Sequence, residues 1–124
     1  MKRVFVLEDD PNRISWFVDQ FKKYDYKYDI TQDVKLAKHL LTTEKFDMIF
    51  LDHDLGGQQM VDSDDPNTGY QVAKVIPNSI NHETHIIIHS YNPTGSAKME
   101  ELLRVARCNV FAIPFGMFDI NGNL

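Results

Sequence analysis

One pattern constrains this sequence more than any other: short, wholly apolar runs that stop abruptly at polar residues. Val4-Phe5-Val6-Leu7 runs into Glu8-Asp9-Asp10, Met48-Ile49-Phe50-Leu51 into Asp52-His53-Asp54, and Ile86-Ile87-Ile88 into His89-Ser90. A strand with one face in water alternates apolar and polar residues, whereas a run without alternation belongs to a strand covered on both faces, as in a parallel sheet between helical layers. The intervening stretches read as helices. Asp10 and Pro11 suit an N-cap and first helical position ahead of Ile14, Phe17, Val18 and Phe21, and Asp33 precedes Val34, Ala37, Leu40 and Leu41. Tyr70, Val72, Ala73, Val75 and Ile76 suggest a third helix ending near Pro77, and Asn92-Pro93 opens a fourth through Met99, Leu102, Leu103 and Ala106. Tyr26 to Ile30 reads as a weaker strand, and Asn109 to Ile113 as a strand stopped by Pro114.

Strands alternating with helices imply a parallel sheet with right-handed crossovers, in which ligands collect beyond the C-terminal strand ends. Those ends carry Glu8, Asp9, Asp52, Asp54, Ser90 and Asn92. Residues 55–67 lack periodicity and are rich in turn formers, so a long loop is expected beside the same cleft. The 124 residues suffice for one domain, expected to span 1–124, and 43% hydrophobic with 25% charged residues is ordinary for a globular chain. A net charge of −5 argues against long nucleic acid or an anionic membrane as the primary partner. The lone Cys108 closes no disulfide within the chain, and there is neither a signal-like N-terminus nor an apolar run of membrane-spanning length, so a cytoplasmic location is expected.

Several carboxylates in one small cleft raise one another's pKa unless a cation sits among them. Oxygen ligands favour a hard divalent ion, magnesium, manganese or calcium, over zinc or copper, and magnesium typically engages one or two carboxylates plus a phosphate, so a phosphoryl substrate with magnesium or manganese is indicated. Asp52 then has two open roles: nucleophile toward phosphorus, or ligand of the metal that polarises a phosphoryl oxygen.

These segments resemble the receiver domain of bacterial response regulators over nearly the whole chain. The resemblance implies a single flavodoxin-like α/β domain with a five-stranded parallel sheet in the order 2-1-3-4-5. It matches Glu8 and Asp9 to the metal-binding acid pair, Asp52 to the phosphoacceptor, Ser90 to the hydroxyl that contacts the phosphoryl group, and the Asp54 carbonyl to the third metal contact. Four departures stand out. Ile113 occupies the place of the family's lysine before Pro114; helix five is expected to be short or absent, since residues 115–124 carry Gly116, Gly122 and two asparagines; the stretch from Asp52 to Gly69 is lengthened; and His53 and His89 adjoin motif residues. In these respects Asp52-His53-Asp54-Leu55-Gly56-Gly57 and His89-Ser90-Tyr91-Asn92-Pro93-Thr94-Gly95 are more similar to the cyclic-phosphate-processing receiver-like family.

Three function classes follow. The first is a metal-dependent hydrolase of cyclic phosphates, with Asp52, His53 and His89 catalytic, Ser90 and Asn92 on the phosphoryl oxygens, and Glu8, Asp9, Asp52 and Asp54 at the metal. Histidine titrates in the range an acid or base needs. The second is a stand-alone phosphorelay receiver that takes its phosphoryl group from a phosphodonor at Asp52; the third is a non-catalytic interaction module. Phe111, Phe115, Met117 and Phe118 are expected either to cover the sheet edge or to form a protein or homodimer contact. His39, His85, His82 and the acids Asp62, Asp64 and Asp65 are expected to be structural or solvated, Cys108 to be core, and Trp16 to anchor the first helix.

Overall fold

The computed structural model describes residues 1–120. The chain runs β1 (Arg3–Leu7), α1 (Pro11–Lys23), β2 (Lys27–Thr31), α2 (Val34–Thr43), β3 (Met48–Leu51), α3 (Gly69–Ala73), β4 (His85–Ile88), α4 (Pro93–Val105) and β5 (Val110–Ala112). All strand pairings are parallel, in the order β2-β1-β3-β4-β5, as expected from the sequence. The strand order reverses direction between β1 and β3, where a parallel sheet opens a crevice at its C-terminal edge.

Period-two alternation divides each buried strand between two layers. Phe5, Leu7, Ile49, Leu51, Ile86 and Ile88 face a largely aliphatic layer with Ala37 and Leu41 of α2, Val72 and Ala73 of α3, and Met99 and Leu103 of α4. Val4, Val6, Phe50 and Ile87 face a second layer with Phe17 and Phe21 of α1. The helix caps follow the sequence: Asp10 accepts from the Asn12 and Arg13 amides, Asp33 from Lys35 and Leu36, and Asn92 from Gly95.

Differences from expectation are local. The third helix is five residues long rather than reaching Ile76, because the amides of Val75 and Ile76 turn to the carbonyls three residues back, tightening the chain ahead of Pro77. The described residues contain no helix after β5; the expectation based on Gly122 and its neighbours lies outside them. Instead Phe115, Phe118 and Ile120 pack on the second layer, with Trp16 stacked edge-on against Phe17, Phe115 and Phe118. Phe111 and Met117 remain exposed, and Cys108 is half-buried against the first layer.

Candidate functional site

Sheet register alone assembles the centre of the site. Leu7, Leu51 and Ile88 are neighbours across β1, β3 and β4, so the next residues, Glu8, Asp52 and His89, form the following cross-strand row. The row is held by the Asp52 amide donating to the Leu7 carbonyl (3.1 Å) and the His89 amide to the Leu51 carbonyl (3.0 Å). All three side chains are buried, with ligating atoms within 4.8 Å of one another.

Glu8 Oε1 lies 2.8 Å from His89 Nε2, while Oε2 accepts from the amides of Asp9 and Asp10. Burial pushes the Glu8 carboxyl up, but the hydrogen bond and charge of His89, the Asp10 amide and Arg13 together hold it at about 2. Asp52 goes the other way: burial and then the adjacent Glu8 charge raise it to about 8, against the opposing pull of Arg13 and the His53 amide. Without a cation, Asp52 therefore carries a proton at neutral pH. Asp9, half-buried, is also raised by burial, and its Oδ2 accepts from the Gly57 amide at 2.6 Å. This set of oxygen donors, with one carboxylate forced to keep its proton, fits a hard divalent cation.

Among the described residues that line this cleft, the one cationic side chain was not singled out in the sequence. Arg13, in the first turn of α1, brings Nη1 to 3.6 Å from Glu8 and 3.8 Å from Asp52, with its guanidinium over the rings of Tyr91 (4.8 Å) and Phe115 (5.5 Å). A signal was available: a cation in the first helical turn opposes the helix dipole, so an arginine immediately behind an acid pair has a reason to be there beyond helix formation. Ile113, in the lysine position, packs into the aromatic layer instead.

The remaining residues singled out in the sequence divide in two. Ser90 lines the cleft, its Oγ accepting from the Asn92 amide. His53 is sealed: Nδ1 meets Asp54 Oδ1 at 2.7 Å, Nε2 meets Ser63 Oγ at 2.8 Å, and its ring lies beneath Gly95, where an added Cβ would come within 2.4 Å of it. The structure thus brings no His53 nitrogen to the cleft. Asp54 and Asn92 also line the cleft, where Asn92 places its amide on Asp54 Oδ1 and the Val61 carbonyl and its Oδ1 on the cap of α4. The Asp54 carboxylate gathers four donors, from His53, Asn92, Met60 and Val61, and although burial pushes it up these bonds hold it below the usual range. These three residues organise the 55–67 loop, closed at its base by an Asp54 to Thr68 bridge and by the Gly69 amide on the His53 carbonyl. Gly69 is required there, since a Cβ would sit 1.8 Å from the Asp52 carbonyl oxygen. His89, on the other face, is ringed by Phe17, Phe50 and Phe115, and its Nδ1 is the buried polar side-chain atom left without a partner among the described residues.

The cleft encloses about 450 Å³ between Asp9, Arg13, Asp52 and Ser90 on one side and Gly57 to Met60 on the other. Residues 14–105 match the family described as the cyclic-phosphate processing receiver domain. Among solved structures, the chain is similar to the receiver domain of a sensor histidine kinase from Pseudomonas aeruginosa, with magnesium in its active-site cleft (18% identity, 95% of this chain and 87% of that one, TM-score 0.66). It is also similar to the Thermotoga maritima response regulator TrrA in complex with Mg(2+)-BeF (21%, 96% and 91%, 0.65) and to a CheY-like receiver domain protein from Methanospirillum hungatei (13%, 98% and 85%, 0.70). At these identities the structural likeness establishes the fold. No curated protein matches the chain.

Proposed function

The chain belongs to the cyclic-phosphate processing receiver domains, and from that premise we propose that it hydrolyses a cyclic phosphate ester at the Asp52 cleft. The observation that carries this reading is Arg13: a phosphoryl-binding cation has been re-supplied from α1, facing both Glu8 and Asp52, where the lysine of the receiver pattern is replaced by a packed isoleucine. Glu8, Asp9 and Asp52 are the side chains that would hold magnesium or manganese, with the Asp54 carbonyl matched by resemblance. Such an ion, when bound, neutralises the acids and polarises a phosphoryl oxygen.

The chain's own groups account for the rest. Arg13 donates to a non-bridging phosphoryl oxygen and Ser90 Oγ to another, fixing the ester with phosphorus toward Asp52. In the reaction, the oxygen of a water molecule bonds to phosphorus, one ring P–O bond breaks, and the proton of that water ends on the departing oxygen. Asp52 Oδ2, which faces the cleft beside Arg13, is the atom that takes this proton from the water and passes it to the departing oxygen. His89 and His53 act as positioning residues, the first through Glu8 and the second through Asp54.

A panel of 2′,3′-cyclic, 3′,5′-cyclic and linear phosphoesters with magnesium or manganese tests this reading. Turnover of a cyclic ester is expected in the wild type, falling roughly 100-fold or more in both Arg13→Ala and Asp52→Asn. The phosphoacceptor reading is favoured by one observation, the position of Asp52 at the end of β3 in a fold whose solved neighbours include a complex with Mg(2+)-BeF. Absence of turnover together with labelling of Asp52 by a small phosphodonor would establish that reading instead.

A further inference from the structure

The reacting groups occupy only one side of the cleft. A phosphoryl group at Asp52, Arg13 and Ser90 leaves most of the 450 Å³ to the wall made by Gln58, Gln59, Met60 and Tyr91. That wall combines large exposed apolar surfaces with backbone anchored underneath. Met60 is 65% exposed, yet its backbone is held at a φ of 52°, a region disfavoured for a side-chain-bearing residue, by its amide on Asp54 Oδ2 (2.7 Å). The next amide, that of Val61, bonds the other oxygen of the same carboxylate. Tyr91 is 53% exposed but not free to swing, because its hydroxyl donates to the Phe115 carbonyl and Arg13 lies over its ring. An exposed thioether and a half-exposed aromatic ring lining an acid-rich cleft are surfaces that a flat apolar group can cover. The two glutamine amides beside them each offer a donor and an acceptor, the complement of a base edge.

We propose that this wall is a subsite for a heterocyclic base, which makes the substrate class a nucleoside cyclic phosphate in preference to the cyclic phosphate of a plain polyol. The inference rests on the hydrolase reading for the phosphate end and adds the identity of the other end. A single nucleoside fits better than a long strand: the loop that forms the wall continues into Asp62, Asp64 and Asp65, and the chain carries a net charge of −5, so further backbone phosphates would meet like charge.

Calorimetric titration with magnesium present, using uridine 3′-phosphate and adenosine 3′-phosphate against glycerol phosphate, reads the subsite independently of catalysis. The wild type is expected to bind the nucleotides about tenfold or more tightly than glycerol phosphate, the size of one base stacked on a side chain. Met60→Ala and the double variant Gln58→Ala, Gln59→Ala are expected to shrink that ratio by about threefold or more, with glycerol phosphate as the internal check that the phosphate end is intact. A wild-type ratio near one, a ratio unmoved in both variants, or no binding of any of these ligands overturns the subsite. Selective nucleotide binding without turnover of any cyclic ester would retain the subsite and remove the hydrolase reading. Equal turnover of glycerol 1,2-cyclic phosphate and nucleoside 2′,3′-cyclic phosphates would do the reverse.

Discussion

The two faces of the sheet solve the same packing problem with different materials, and each buries one histidine of the site. On one face, α2, α3 and α4 lay aliphatic side chains over Leu7, Leu51 and Ile88; on the other, α1 shares the work with Phe115, Phe118 and Ile120, which follow β5 without forming a helix. Aromatic rings cover more surface per residue than aliphatic chains, so a few of them seal an area that a helix would otherwise span. The sealing has a chemical consequence. On the aromatic face the His89 ring has Glu8 as its one polar partner among the described residues, and both are fully buried; on the aliphatic face His53 belongs to a network with Asp54, Ser63 and Asn92 that reaches the loop.

The two faces part most clearly when each histidine is removed in turn. His89→Leu removes the hydrogen bond to Oε1 of a fully buried carboxylate, whose Oε2 keeps the Asp9 and Asp10 amides, and is expected to cost about 2 to 3 kcal/mol of stability at pH 7, read from urea denaturation. His53→Leu is expected to cost distinctly less, because Asp54 keeps the donors of Asn92, Met60 and Val61. Equal losses would mean that the aromatic seal makes the Glu8 bond to His89 no harder to replace than the Asp54 bond to His53.

Stability against pH sharpens the same contrast within the row. Glu8 is depressed to about 2, so its contribution is gained as pH rises from there through the ordinary carboxylate range. Asp52 is raised to about 8, so between the ordinary carboxylate pKa and about 8 the folded chain holds a proton that the unfolded chain has released, and stability falls as pH rises through that window. The slope from one proton is at most about 1.4 kcal/mol per pH unit. The metal-free wild type should therefore be less stable at pH 8 than at pH 5, with Asp52→Asn removing the decline. Magnesium should bind more tightly as pH rises toward 8, because the cation competes with that proton. A flat profile that is unchanged in Asp52→Asn would remove the Glu8 to Asp52 coupling from the account.

The aromatic cover itself is tested by Phe118→Ala. Phe118 stacks on Phe50 (5.3 Å between centroids) and meets Trp16 edge-on. It is only partly buried, so a loss of about 1 to 3 kcal/mol is expected, below the range for a fully buried phenylalanine. A loss of a few tenths would show that the segment after β5 merely rests on the sheet.

Much of this was legible in the sequence for a physical reason: fully buried parallel strands require apolar runs, and the acids that end those runs mark the C-terminal edge. The row Glu8, Asp52, His89 follows from the same runs once the register of their ends is aligned. What was not legible is how side chains share hydrogen bonds. Nothing in Asp52-His53-Asp54 shows that His53 turns beneath Gly95, or that Asp54 spends its carboxylate on the loop, because the partners Ser63, Asn92 and Met60 come from segments whose placement depends on the folded chain. Arg13 is hidden for the same reason: nothing in the strand ends shows that a side chain from the first turn of α1 reaches over Tyr91 and Phe115 to face Glu8 and Asp52.

The smallest expected effect lies at Ser63, the point where the His53 network enters the loop. Ser63 is buried, with Oγ on His53 Nε2 and its carbonyl accepting from Gln71 Nε2 at 2.8 Å. Ser63→Ala removes only the hydroxyl and leaves the backbone anchor in place, so about 1 kcal/mol of stability should be lost. The variant also separates two kinds of loop control. If the His53 bond sets the position of the wall, amide hydrogen exchange at Met60 and Val61 should quicken beyond what the global loss explains. If Asp54 alone sets it, those two amides should keep their wild-type protection while His53 becomes freer, and the aliphatic face would then hold its histidine for packing and the carboxylate for the cleft.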